Sequence, residues 1–183
     1  MTNNKNKKYH GILIHGGLKT KRIRSQSAER IKKSLGNSVS EGFLLLKKGK
    51  SAVDAVEASI VNMEDSGDFN AGIGSCLTID KQIEMDASIM NGSDISAGSV
   101  GMIKNVKNPI KLARYVMEHT NHVMLVSDGA IKLAKILDIY DEKNNITQTK
   151  LKLYEKLREN IKESKYIRKS VPPSIYSHEY FQF

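Results

Sequence analysis

The 183-residue sequence predicts an α/β fold with a layered sheet. Three observations carry that expectation. Apolar residues recur at spacings of three and four from Ala28 to Met63, the period of a helical face. From Cys76 to Val106 the period falls to about two, as in strands. Pro109 then opens another helical stretch, followed by the apolar run Val123-Met124-Leu125-Val126 and a further helix. The length suffices for one ordinary domain with a buried core.

The elements follow in order. Ile12-Leu13-Ile14, ending at Gly16-Gly17, reads as a buried strand that leads into a loop, and Lys19 to Arg24 as a basic loop. Ser25 or Ser27 caps a first helix whose face is Ala28, Ile31, Leu35, Val39 and Phe43. Lys47-Lys48-Gly49 closes it with cations and a glycine, although Gly36 interrupts it. Ser51 and Asp54 form a capping-box pair for a second helix, with Val53, Val56, Ile60 and Met63 as its stripe.

Cys76 to Ile79, a turn at Asp80-Lys81, Ile83 to Ala87 and Ser99 to Val106 read as hairpin strands. Asn91-Gly92 and Ala97-Gly98 mark their turns. Pro109 sits where a helix's first turn tolerates the missing N–H, with Ile110, Ala113, Val116 and Met117 on one face. Asp128-Gly129 feeds a helix from Ala130 to Leu137. Beyond Asp138 the composition turns to Lys, Glu, Tyr and Asn; Thr147 or Thr149 caps a helix carrying Leu151, Leu153, Tyr154, Leu157 and Ile161. Ser170 to Phe183, with Pro172-Pro173, has no period and is expected to be mobile. The divisions are a tail at 1–10, a body at 11–138 and a helical then irregular segment at 139–183.

Charge is distributed unevenly. Lys and Arg exceed Asp and Glu by 29 to 20, a net of +9. Residues 1–50 hold thirteen basic and two acidic side chains, residues 51–130 five and eleven, and residues 131–183 eleven and seven. The excess is concentrated at the amino-terminal end without interleaved aromatics or zinc-finger spacing, so a solvated basic face is expected rather than a nucleic-acid site. No apolar run reaches bilayer length, which predicts no membrane association. The amino terminus lacks the apolar core of a secretory signal, and the single Cys76 excludes an intramolecular disulfide. Both suit a cytoplasmic protein. Cys76 itself is expected to be a buried small hydrophobe.

The chemistry concentrates in Asp68-Phe69-Asn70-Ala71-Gly72-Ile73-Gly74-Ser75. Gly67, Gly72 and Gly74 let the main chain turn and approach other groups closely. Directional contacts are left to Asp68, Asn70 and Ser75. A phosphate cradle is disfavoured because no Lys-Ser/Thr follows and a strand comes next. His119 and His122 straddle a helix end with no third ligand near in sequence, which argues against zinc. His15 is a weak general-base candidate.

In order, IHGG, GKSAVDAVEASI, FNAGIGS, EMDASIMNG, AGSVG, KNPIKLARYVME and HVMLVSDGA resemble the α-subunit half of the isoaspartyl peptidase/L-asparaginase family, plant-type threonine hydrolases of the N-terminal nucleophile class. Motif-level matches run from about residue 11 to residue 138. The resemblance implies an αββα sandwich in which this half is completed by a separate β subunit within an (αβ)₂ heterotetramer. It also implies hydrolysis of asparagine or β-aspartyl peptides. The nucleophilic threonine of the family begins a Thr-Val-Gly segment exposed by self-cleavage of a precursor. No such segment occurs in these residues, so the nucleophile is expected on the β half, after the 139–183 linker.

Residue by residue, Asn70 matches the family asparagine beside the nucleophile, and Gly16 and Gly17 match the His-Gly-Gly loop that faces the scissile bond during maturation. The same resemblance makes Met63 to Ile73 a loop around a structural sodium ion, through the main-chain carbonyls of Met63, Glu64, Ser66, Phe69, Ala71 and Ile73. Hard monovalent cations take oxygen ligands, and no organic cofactor is implied. Three places depart from the pattern. Ser66-Gly67-Asp68 stands where relatives often carry a proline and an apolar residue, leaving Asp68 expected at the surface. Leu18-Lys19-Thr20 replaces small residues, and Ser127-Asp128-Gly129 replaces Gly-Glu-Gly. They point to altered substrate choice or a degenerate paralogue. Two alternatives stand beside the leading reading: an inactive truncated or split-gene homologue acting only as a binding partner, and a taspase-type threonine protease, which is disfavoured because Asn121-His122-Val123-Met124-Leu125 follows the helix directly, as in asparaginases.

Overall fold

The computed structural model describes residues 10–17, 25–141 and 146–162. Five helices are described: α1 (Ser25–Lys47), α2 (Ala52–Ser66), α3 (Pro109–His119), α4 (Ser127–Ile136) and α5 (Gln148–Lys162). The strands β1 (Met85–Asn91), β2 (Ser96–Ile103) and β3 (Met124–Val126) form one sheet in the order β1-β2-β3. A 3-10 turn at Gly72–Gly74 lies between α2 and β1. β1 and β2 are an antiparallel hairpin, with Ile89 opposite Gly98 and Asn91 opposite Ser96. β2 and β3 run parallel, and α3 is the crossover between them.

Helices stack on one face of this sheet. α3 lies on β1 and β2, α2 on α3 and β1, and α1 on α2. The core is the buried side of that stack: Val100 and Ile103 from β2, Ile89 from β1, and Ile110, Leu112 and Val116 from α3. Each such side chain contributes roughly 1.5–3 kcal/mol when taken fully out of water. The Ser51–Asp54 capping box forms in both directions at α2, and Thr147 rather than Thr149 caps α5 by accepting the Lys150 N–H.

Several expectations need correction. Ile12-Leu13-Ile14 is not a strand, and Leu13 is 95% exposed; among the described residues no neighbouring strand pairs with it. The buried line of α1 is Ser38, Gly42 and Leu46, because small residues let it approach α2, while the expected Ile31–Phe43 face is half-buried. Val56 is exposed rather than part of the α2 stripe. The hairpin expected from Cys76 reduces to one bridge, Leu77 to Ile83. Ala97-Gly98 is not a turn: it lies inside β2, where a Cβ on Gly98 would fall 2.2 Å from the Ala113 carbonyl oxygen of α3. Cys76 is exposed. α4 starts at Ser127, three residues earlier than expected. All of the 1–10 tail but His10, the basic loop from Lys19 to Arg24 and the irregular run at 170–183 lie outside the described residues.

Candidate functional site

The loop from Gly67 to Ser75 is folded back against the end of α2. α2 terminates because Gly67 takes the left-handed conformation, φ +71°. The Asp68 N–H donates to Ser66 Oγ at 3.2 Å, and that hydroxyl donates to the Met63 carbonyl at 2.8 Å. Cβ atoms on Gly72 and Gly74 would lie 2.4 Å from the Glu64 carbonyl oxygen and 2.2 Å from the Phe69 carbonyl oxygen. Only glycine permits such close return of the backbone.

Two candidate segments are brought together. The buried Phe69 ring packs on Gly16, where a Cβ would sit 2.8 Å from the ring edge. Gly17, at φ +87°, directs its N–H to Nδ1 of the exposed His15 at 3.3 Å, which makes His15 part of the loop. Asn70 is exposed, and its Oδ1 accepts the Cys76 N–H at 2.8 Å, closing the glycine loop across six residues. Gly16 and Asn70 therefore flank Phe69, one by contact and one by sequence.

Asp68 is not at the surface. Its side chain is 8% exposed, with one oxygen 2.6 Å from Arg30 Nε and the other accepting from Ser34 Oγ at 2.5 Å. A buried carboxylate without such partners would be costly. Sequence reasoning missed both α1 partners, although Arg30 and Ser34 stand one helical turn apart.

Of the six carbonyls proposed for a cation, those of Glu64 and Phe69 face the Cβ-free sides of Gly72 and Gly74. Those of Met63 and Ala71 each accept a hydrogen bond, from Ser66 Oγ and from the Gly74 N–H at 3.0 Å. Ser66 and Ile73 are half-buried in the same loop.

The Glu64 side chain has a separate task that periodicity did not reveal. It is buried at the amino end of α3, accepting the Ile110 N–H and Asn108 Nδ2, each at 3.2 Å. Asn108 makes no side-chain cap of its own, so Glu64 supplies an acceptor for the helix from another element. Burial raises its pKa to about 7 even though these bonds favour the charged form.

Two grooves are found among the described residues of this region. One, of about 610 Å³, separates Cys76–Lys81 from α5; Tyr154 donates to the Ile79 carbonyl at 2.8 Å, and Lys150 Nζ lies 3.9 Å from Cys76 Sγ. The other, of about 430 Å³, is lined by Arg114, Asp54 and Glu57. There Arg114 pairs with Asp54 at 2.8 Å, with Glu57, and with Glu118 at 2.8 Å, tying α3 to α2. His119 stacks on Tyr115, ring centroids 4.6 Å apart.

The family model described as asparaginase matches residues 8–180. A plant-type L-asparaginase of Thermococcus kodakarensis is 44% identical over 83% of this chain and 49% of its own length. An isoaspartyl peptidase/L-asparaginase of Bos taurus is 46% identical over 67% of this chain and 40% of its own, and the human protein of that name is 43% identical over 70% and 41%. The chain spans about half the length of the curated relatives it matches. With the glycine loop seated on the His-Gly-Gly segment and this match along nearly its whole length, the chain belongs to the asparaginase family.

Proposed function

We propose that the chain is the α half of an amide hydrolase that releases aspartate from asparagine and β-aspartyl peptides, with the threonine nucleophile on a β half, the two forming an (αβ)₂ heterotetramer. The observation that carries this reading is the packing of Phe69 on Gly16, which joins the two loops that the family motifs single out. In this reading a threonine hydroxyl attacks the amide carbonyl, its own α-amine takes the hydroxyl proton and passes it to the ammonia or amine that leaves as the C–N bond breaks, and water then cleaves the ester to release aspartate. The residues of this chain bind and orient. Asn70, fixed through Cys76, stands beside the nucleophile, and the Gly16-Gly17 turn borders the scissile bond before cleavage.

The glycine loop suits a structural sodium ion. Its Glu64 and Phe69 carbonyls are neutral hard donors set against side-chain-free glycines. Met63, Ser66, Ala71 and Ile73 would complete the set through their carbonyls, and the ion would hold the loop rather than take part in chemistry.

The test is expression of the full-length protein, meaning these residues together with the β half of this proposal, in one precursor or co-expressed, followed by intact-mass measurement and an assay of aspartate release. Cleavage into two pieces, with the second starting at threonine, and turnover of asparagine or a β-aspartyl dipeptide are expected. An uncleaved chain without turnover would favour the binding-partner alternative, and cleavage of longer peptides alone the taspase-type reading.

A further inference from the structure

We propose that Arg30 and Ser34 of α1 act through Asp68 as positioning residues, holding the loop from Gly67 to Cys76 so that Asn70 and the Phe69–Gly16 contact keep one arrangement. The functional part rests on the amide-hydrolase reading above.

The loop needs an external support. Between Gly67 and Ala71 it has no regular secondary structure, and Gly67 and Gly72 both take positive φ. Such a segment samples many conformations unless it is tied. Asp68 is tied at main chain and side chain: its N–H goes to Ser66, and each carboxylate oxygen meets a donor on α1. Charge-assisted bonds of this kind are short and directional. Both donors come from one helical face, so the helix presents them as a unit.

α1 is itself anchored. Ser38 Oγ lies 2.9 Å from the Ser34 carbonyl and 2.8 Å from Asn62 Oδ1, and Ser59 Oγ donates to the Ser38 carbonyl at 2.9 Å. Ser38 and Ser59 are buried, at 0% and 2% exposure. A hydrogen-bonded path therefore runs from the middle of α2, through α1, to Asp68. Two residues beyond Asp68, Asn70 closes the loop on Cys76, so displacement of Asp68 displaces the site asparagine.

The experiment uses the full-length protein with Arg30→Ala, Asp68→Ala, their combination and Arg30→Lys. Arg30 is 69% exposed, so its replacement leaves the core intact even if Asp68→Ala fails to fold. Amides of residues 67–76 should exchange about tenfold faster in each single variant, with the double variant no faster than either. Amides in the middle of α2 should not change. For asparagine hydrolysis, kcat should fall about tenfold while KM stays within about twofold, and Arg30→Lys should recover most of it. Unchanged exchange would overturn the clamp. Faster exchange with unchanged kcat would overturn the positioning role. Absence of wild-type turnover would overturn the hydrolase reading and the role in it, while the exchange data would still decide the clamp.

Discussion

Glu64 shows how one buried carboxyl can set a pH dependence. Its native pKa, about 7, lies above the ordinary 4.5, because burial disfavours the charge more than Ile110 and Asn108 favour it. The folded state thus holds this proton more tightly than the unfolded chain. The stabilisation is complete below about pH 4.5 and is lost as pH rises through about 7, amounting to about 3 kcal/mol at most. Asp65 and Lys111 also face the group, one raising and one lowering its pKa. Glu64→Gln keeps an acceptor for the Ile110 N–H but does not titrate. Urea titrations at pH 5 and pH 8 should show the wild type losing stability relative to the variant at the higher pH. Parallel profiles would show that Glu64 is not protonated in the folded protein.

At the scale of elements, close approach decides the packing. β2 meets α3 at Gly98, where the atoms nearest an added Cβ are the Ala113 carbonyl oxygen at 2.2 Å and the Met117 nitrogen at 2.4 Å, both main chain. Neither can move aside as a side chain can. Gly98→Ala should therefore cost about 1–3 kcal/mol or more, measured as a lower urea midpoint with an unchanged slope. A loss below about 0.5 kcal/mol would show that strand and helix have room to separate. α1 meets α2 by the same principle, with a Cβ on Gly42 falling 2.2 Å from Ser59 Oγ.

The molecule as a whole leaves apolar surface open. Alternation along β2 puts Gly98 and Val100 against the helices and Ala97, Ser99 and Gly101 on the opposite face. That second face also carries Met90, Met124 and Val126, which are 58%, 55% and 49% exposed. The outer edges of β1 and β3 have no strand partner among the described residues. Residues 1–183 alone should bind a hydrophobic dye and aggregate, hydrolyse neither asparagine nor β-aspartyl dipeptides, and be rescued by a co-expressed β half. A monodisperse monomer that melts cooperatively without a partner would contradict this. On the proposed reading of a sodium-holding loop in an αβ complex, exchanging sodium for the bulkier tetramethylammonium should lower the melting temperature by a few degrees, on the scale of about 1 kcal/mol. An unchanged transition would remove the cation from the loop.

The sequence marks its helices with local signals: the Ser51–Asp54 cap, Pro109 at the start of α3, and the Ile110, Ala113 and Val116 face. It also determined the family, because seven motifs in order survive any error in element boundaries. Tertiary structure decided what depends on partners distant in the chain. An apolar run such as Ile12-Leu13-Ile14 becomes a strand only with a neighbour to pair with, and Gly98 reads as a turn residue until α3 is laid across it. Asp68 looks like a surface loop residue until Arg30 and Ser34 arrive from 38 and 34 positions away. Local propensity is written in adjacent residues, whereas burial and pairing are properties of segments that meet only on folding.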